Sequence, residues 1–228
     1  MLILASNSPR RRQLLNWLDL PFEVRAANID ESVLPGEAPD DYTRRLARQK
    51  ALAASTGCQP GDLILASDTT VAAVDRDRAL DRGGMSILGK PGGEAEAETM
   101  LRSLRGRTHL VFTAVALAGG AFSAEDVWVE LCSTRVLMRA YSDREMADYI
   151  QSGDPLDKAG AYAIQHSGFH PVERIDGCFA SVMGFPMCHV LRLLARAGVI
   201  PRVNLPRRCL DDLEYACPVY SSIYQPVV

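Results

Sequence analysis

The chain has 228 residues, 47% of them hydrophobic and 23% charged, with a formal net charge of -3. That length supports one domain of ordinary to large size with a substantial core, and the near-neutral balance without long basic runs argues against a nucleic-acid footprint. A small anion, which needs only a local cluster of cations, stays open as a ligand.

The opening MLILAS is too short for a membrane span and lacks the basic segment of a secretion signal, so the chain is expected in the cytoplasm. Strands and helices then alternate in the manner of an α/β fold. LILA predicts a strand, and RRRQLLNWLDL a helix with Ser8 as N-cap and Pro9 at its first position. FEVRAANI predicts a second strand, ending in the stretch DES at 30–32, whose Asp30 and Glu31 are acidic. A helix from about Asp40 to Ala54 carries Lys50, and GDLILASDTTVAAV is a long buried strand interrupted by Asp68. Residues 75–86, charged and glycine-containing, predict a hairpin tip or flexible loop.

After ILGKPGG comes the helix EAEAETMLRSLRG, ended by Gly106. HLVFTAVALAGG and VWVELCSTRVLM predict two long antiparallel strands, and SDREMADYIQSG a helix with a Ser142–Glu145 capping box. A strand near PVERIDG and a helix over FPMCHVLRLLARAG complete the domain at about residue 199. Residues 200–228, with four prolines, three tyrosines and no helical period, predict an irregular tail. The six cysteines include no C-x-x-C pair and are expected as reduced core thiols; the four histidines lack the H-E-x-x-H spacing of a zinc site.

Three places carry chemistry. In SNSPRRRQLL, Arg10, Arg11 and Arg12 crowd a helix first turn that already carries partial positive charge, which makes sense where an anion is held by backbone N–H groups, the hydroxyls of Ser6 or Ser8, and guanidinium forks. Asp68 in LILASDTTV is costly to bury unpaired, so it is expected at a strand end facing a cleft, beside a cation or metal. Asp30 and Glu31 supply further carboxylates that could share a divalent metal with it. GMSILGKP matches the first seven positions of a P-loop, but Pro91 stands where the metal-binding Ser or Thr belongs, so that reading is rejected. Only three of the 25 Lys and Arg residues are lysine, Lys50, Lys90 and Lys158, each a point charge suited to a tight site where an Arg fork is not. No G-x-S-x-G or Cys–His arrangement suggests a covalent nucleophile. Together these features point to binding and cleavage of a phosphorylated small molecule.

LASNSPRRRQLL, ARQKA, ASDTTV, LGKP, GRTHLVFTAVAL, PLDKAGAYAIQ and GFPM occur, over residues 2–198, in an order that resembles the Maf family of nucleotide pyrophosphatases. The resemblance implies an elongated mixed β-sheet flanked by helices, in two lobes with a central cleft, as in inosine triphosphate pyrophosphatases, and a homodimer. It implies hydrolysis of a nucleoside triphosphate to the monophosphate and pyrophosphate with a divalent cation, Mg or Mn. By position, Asp68 is then the water-activating base and Glu31 helps hold the metal, while Ser6, Arg11, Lys50 and Lys90 bind the triphosphate. Asp157 and Lys158 close the cleft from the other lobe. Arg10, Thr69 and Gln165 match the branch acting on dTTP and UTP. Gly177-Cys178-Phe179 replaces the family's Gly-Ser-Tyr, Gly184-Phe185-Pro186 its Gly-Leu-Pro, and AIQHSGFHP departs from its Ile-Gln-Gly. The competing readings are a nucleotide-binding regulator without significant turnover, in keeping with the family's link to septum formation, and a pyrophosphatase for modified nucleotides.

Overall fold

The computed structural model describes residues 1–74, 84–119 and 126–223. The predicted loop at 75–86 therefore lies mostly outside the described residues. In chain order the elements are β1 (Leu2–Leu4), α1 (Pro9–Leu15), β2 (Phe22–Val24), α2 (Pro39–Ser55), β3 (Leu63–Val74), β4 (Met85–Leu88), α3 (Glu94–Leu104), β5 (Thr108–Gly119), β6 (Trp128–Met138) and α4 (Asp143–Gln151). They continue as β7 (Val172–Asp176), α5 (Phe179–Val182), α6 (Met187–Arg196), α7 (Leu205–Leu213) and α8 (Tyr220–Ile223). Short 3₁₀ turns follow α1 at Asn16–Leu18 and α4 at Asp154–Asp157 and Ala159–Ala161.

The seven strands form one mixed sheet in the order β2-β1-β3-β5-β6-β7, with β4 paired to β3 alone. The long apolar runs of β3, β5 and β6 form antiparallel neighbours, and β1 joins β2 and β3 in parallel. One edge of β3 is shared between two short strands: β1 pairs with Leu63–Leu65 and β4 with Val71–Val74. Residues 66–70 face β5 on the opposite edge and meet neither short strand on this one. The opening left between β1 and β4 is where the cleft forms.

Three apolar clusters divide the molecule around that opening. The alanine-rich face of α2 (Ala47, Ala51, Ala54) packs on Ile3, Ile64 and Ala66. On the opposite face, α1 and α6 enclose Leu14, Leu65, Phe185 and Leu191. A second lobe gathers Val71, Val111 and Val136 with the inner faces of α3 and α4 and the aromatic residues Tyr141, Tyr149, Tyr162 and Phe169. Ser142 caps α4, and the reciprocal Ser142–Glu145 bonds of a capping box are present.

Two expectations are corrected. Asp68 neither interrupts nor ends its strand: it sits mid-strand opposite Ala114. The ladder continues through it because its carboxylate finds an ammonium partner across the sheet face, described below. The region after residue 200 is not irregular throughout. Asn204 accepts the Arg207 N–H as N-cap, Pro206 stands in the first turn, and Leu205, Cys209 and Leu213 recur every fourth residue and bury against α6 and its neighbours. Proline breaks a helix interior but suits a first turn, so this proline starts the helix.

Because α7 completes the core, Leu205→Ala is expected to lower the unfolding free energy by about 2–4 kcal/mol, whereas Leu210→Ala, on the exposed face, changes it by under about 0.5 kcal/mol, both read by urea denaturation. Burial also pushes the imidazoles of His109 and His189 down to about 4, with Arg192 adding to the effect on His189. Since the unfolded chain takes up these protons first, stability should fall as pH drops from about 6.5 to about 4, by up to about 1.4 kcal/mol per pH unit for each histidine. Replacing both with Gln should flatten that slope in denaturation curves taken at pH 7 and pH 5.

Candidate active site

The opening beside β3 is a cleft of about 560 Å³ lined from every side by the motifs singled out in the sequence. β1 delivers Ser6 at its carboxyl end, and α1 delivers Arg10 and Arg11. β3 supplies Asp68, Thr69 and Thr70, α2 supplies Tyr42 and Lys50, and the turn after β4 supplies Lys90. The second lobe contributes Asp157, Lys158 and Tyr162.

At its centre Lys50 Nζ donates to Asp68 Oδ1 at 2.6 Å and pairs with Glu31 Oε1 at 2.8 Å. The pairing repays the burial of the Asp68 carboxylate, and it occupies only one of that group's two oxygens. Oδ2 has Thr70 Oγ1 at 3.5 Å. Burial alone would raise the pKa of Glu31, but the Lys50 hydrogen bond and charge, with Lys90 and Arg11 behind them, hold it below the usual carboxylate range. Tyr42 donates to the Glu31 carbonyl at 2.8 Å, and burial with the two nearby carboxylates pushes its phenol up to about 12, so it remains protonated. Asp30 turns away, accepting from the Ser32 N–H and hydroxyl at 2.9 and 2.6 Å, and takes no part in lining the cleft.

Arg11 corrects the expectation of a free fork. Its Nε donates to the Gly184 carbonyl at 2.9 Å, Nη1 to the Ser67 carbonyl at 2.7 Å and Ser6 Oγ at 3.2 Å, and Nη2 to Thr69 Oγ1 at 3.3 Å. The guanidinium thus satisfies the open edge of β3 where a strand would otherwise pair, and pins α1 to the turn after α5. Burial lowers its pKa, against the opposing pull of Asp68. Arg10 differs: its Nε is buried with no partner among the described residues. Lys90 is exposed on the cleft rim and has no ion pair among the described residues.

Lys158 is the most enclosed of the lysines, its side chain 8% exposed. Its three N–H groups go to the Asp154 carbonyl at 2.6 Å, Asp154 Oδ1 at 2.9 Å and Asp157 Oδ1 at 2.6 Å. Asp154 in turn accepts from the Tyr149 hydroxyl at 2.7 Å. The lysine therefore braces its own turn, and the turn is tied to the LGKP segment by Gly160 N–H to the Gly89 carbonyl at 3.0 Å.

Of the sequence-predicted site residues, the structure brings Ser6, Arg10, Arg11, Glu31, Lys50, Asp68, Thr69, Lys90, Asp157 and Lys158 to one cleft, while Gln165 is exposed and outside its lining. Sequence reasoning missed Tyr42 and Asp154. Tyr42 lies two turns before Lys50 on α2, and Asp154 precedes Lys158 by four residues, so spacing carried a signal for both.

A dTTP/UTP pyrophosphatase of Myxococcus xanthus is 48% identical over 199 residues, covering 87% of this chain and 93% of that protein. One from Thermomicrobium roseum is 44% identical over 219 residues, covering 96% of this chain and 93% of that protein, so its match reaches into the segment after residue 200. The solved structure of the Staphylococcus aureus Ham1 protein aligns with 75% of this chain and 79% of that chain, at 12% identity and a TM-score of 0.41. The family model described as Maf-like protein matches residues 1–197, and the chain belongs to the Maf family.

Proposed function

We propose that the protein hydrolyses nucleoside triphosphates, dTTP and UTP foremost, to the monophosphate and pyrophosphate. The observation that carries this reading is the Glu31–Lys50–Asp68 arrangement at 2.8 and 2.6 Å, set in a cleft whose other walls hold Ser6, Arg10, Arg11 and Lys90. The names of the sequence relatives support the same chemistry and the same two substrates.

Asp68 is the base. With Oδ1 committed to Lys50, Oδ2, which accepts only a long 3.5 Å bond from Thr70 Oγ1, is the oxygen that takes the proton of a water attacking the α-phosphorus. Lys50 fixes the carboxylate's orientation through its 2.6 Å bond. Charge grows on the departing pyrophosphate, and Lys90, Arg10 and the remaining N–H of Arg11 Nη2 are placed to offset it. Ser6 Oγ, already held by Arg11 and the Ser8 N–H, orients a phosphate oxygen.

Glu31 and Asp68 are two hard oxygen donors facing one cleft, and no group of three or more His, Cys, Asp or Glu fit to hold a metal occurs among the described residues. That set suits magnesium or manganese, which keep waters and complete their shell with substrate phosphates. When bound, the cation supplies charge stabilisation to the phosphate oxygens. Cytoplasmic housekeeping of the nucleotide pool is the setting this activity fits, and a homodimer and a part in septum formation belong to the same proposal.

A panel of canonical and modified nucleoside triphosphates should give metal-dependent release of pyrophosphate, not of single phosphate, with dTTP and UTP turned over fastest. Tight binding of nucleotide without turnover under any divalent metal would instead favour a regulator. Asp68→Asn should lower kcat by about 10²–10⁴-fold in that assay; an unimpaired variant removes Asp68 as the base. Lys158→Arg keeps the charge but forces a longer, forked head into a pocket built for three converging bonds. It should destabilise the fold by about 1–3 kcal/mol and raise KM, seen by thermal denaturation and steady-state kinetics.

A further inference from the structure

The cleft has two ends of different character. Three residues beyond Asp68 along β3, about 10 Å at strand spacing, the lining turns apolar at Val71 and Val111, with Val182 packed against them. Tyr162 stands in that apolar wall, and nothing in the chemistry at the polar end uses it.

The chain goes to some cost to place this ring. Gly160 and Ala161, immediately before it, both have left-handed backbones, φ 68° and 59°. A Cβ at Gly160 would meet Val71 Cγ1 at 2.9 Å, so no other residue fits there. Ala161 is fully buried in a conformation that costs an L-residue about 1 kcal/mol or more and persists only where the surroundings hold it. What holds it is visible on both sides: Lys158 with its three bonds before the turn, and His109 after it.

His109 lies on β5, two residues before Val111, and is 1% exposed. Its Nε2 is 2.8 Å from the Tyr162 hydroxyl, with the rings edge-to-face at 5.5 Å and 82°. Nδ1 is buried with no partner among the described residues. The 2.8 Å contact ties the ring to the phenol in either tautomer, with Nε2–H donating to the phenol oxygen or the phenol O–H donating to Nε2. Burial keeps the imidazole neutral through the physiological range, which makes it a constant tether.

We infer that Tyr162 is a substrate-binding residue whose ring forms the wall against which the nucleoside end of the substrate packs, and that His109 is a positioning residue that fixes this ring. The inference rests on the nucleotide reading above, and it adds a division of labour. The Ser6–Lys50–Lys90 end holds the phosphates, and the Val71–Val111–Tyr162 end holds sugar and base through an apolar, aromatic contact.

The division can be read directly by comparing two probes on the same proteins, a non-hydrolysable α,β-imido analogue of dTTP and inorganic triphosphate, each by calorimetry. Tyr162→Ala should weaken the analogue by about tenfold, and Tyr162→Phe and His109→Ala by about three- to fivefold, while inorganic triphosphate changes by less than about twofold in all of them. His109→Gln, whose amide N–H can reach the same phenol, should restore analogue binding to near the parent value. Unchanged analogue binding in Tyr162→Ala, or equal weakening of both probes, would overturn the assignment. Where an alanine variant fails to fold, Tyr162→Phe and His109→Gln carry the test, because each conserves bulk. A parent protein that binds the analogue yet releases no pyrophosphate from dTTP would sink the catalytic reading and leave the role of Tyr162 to be decided by the same titrations.

Discussion

A carboxylate in the middle of a twelve-residue strand is the constraint around which this molecule is organised. Asp68 has apolar or small residues on either side of its strand and a fully paired neighbour at β5, so water cannot solvate it as it would a surface aspartate. Uncompensated, such a group costs several kcal/mol, on the order of the whole net stability of a domain. Lys50 must therefore be where it is, and α2 must lie across the sheet in the register that brings it there. The alanines at 47, 51 and 54 let the helix approach closely, and Thr43 fixes its amino-terminal half by a 2.8 Å bond to Thr70 on the same strand face.

The opposite face of β3 shows the same logic with different residues. Between β1 and β4 one edge of the strand lacks a strand partner, which in a buried sheet leaves carbonyl groups to be satisfied by other means. Arg11 takes the Ser67 carbonyl, and with its remaining bonds ties the glycine turn at 184 to the strand. A cation used this way serves two purposes. It closes the edge against further pairing, and it leaves a positive charge at the wall of a cleft that would otherwise be lined on that side by neutral peptide groups.

What the sequence revealed follows from how local the signals are. The Ser8 and Ser142 caps, the capping box, the long apolar strands and the oddity of Asp68 are all read within a few residues of themselves, and the structure bears them out apart from the placement of Asp68 at a strand end. The partners of Arg11 lie up to 173 residues away in the chain, and no spacing rule reaches that far. Lys158 was legible as an unusual lysine, but its satisfaction by its own turn, four residues back and one back, depends on a 3₁₀ geometry that composition does not specify. The helix after residue 200 was missed for a different reason. Four prolines and the lack of an obvious helical period suggest an irregular tail, whereas at the first turn, after Asn204, proline favours the helix.

The two ion-paired lysines also explain why the arginine-rich composition makes exceptions where it does. Lys50 and Lys158 each sit between two carboxylates that approach from different directions, Glu31 and Asp68 in one case, Asp154 and Asp157 in the other. A planar fork pairs best with one carboxylate lying in its own plane, whereas an ammonium directs three N–H groups outward and can bridge two. Because both ammonium groups are neutralised before any ligand arrives, they add little to the pull on an incoming anion. That pull falls to Arg10 and Lys90, the cations of the cleft lining that form no ion pair among the described residues. The lysines deep in the cleft set geometry, and the cations at its walls set attraction, so substitution at the two kinds of position should show up in different terms of the kinetics.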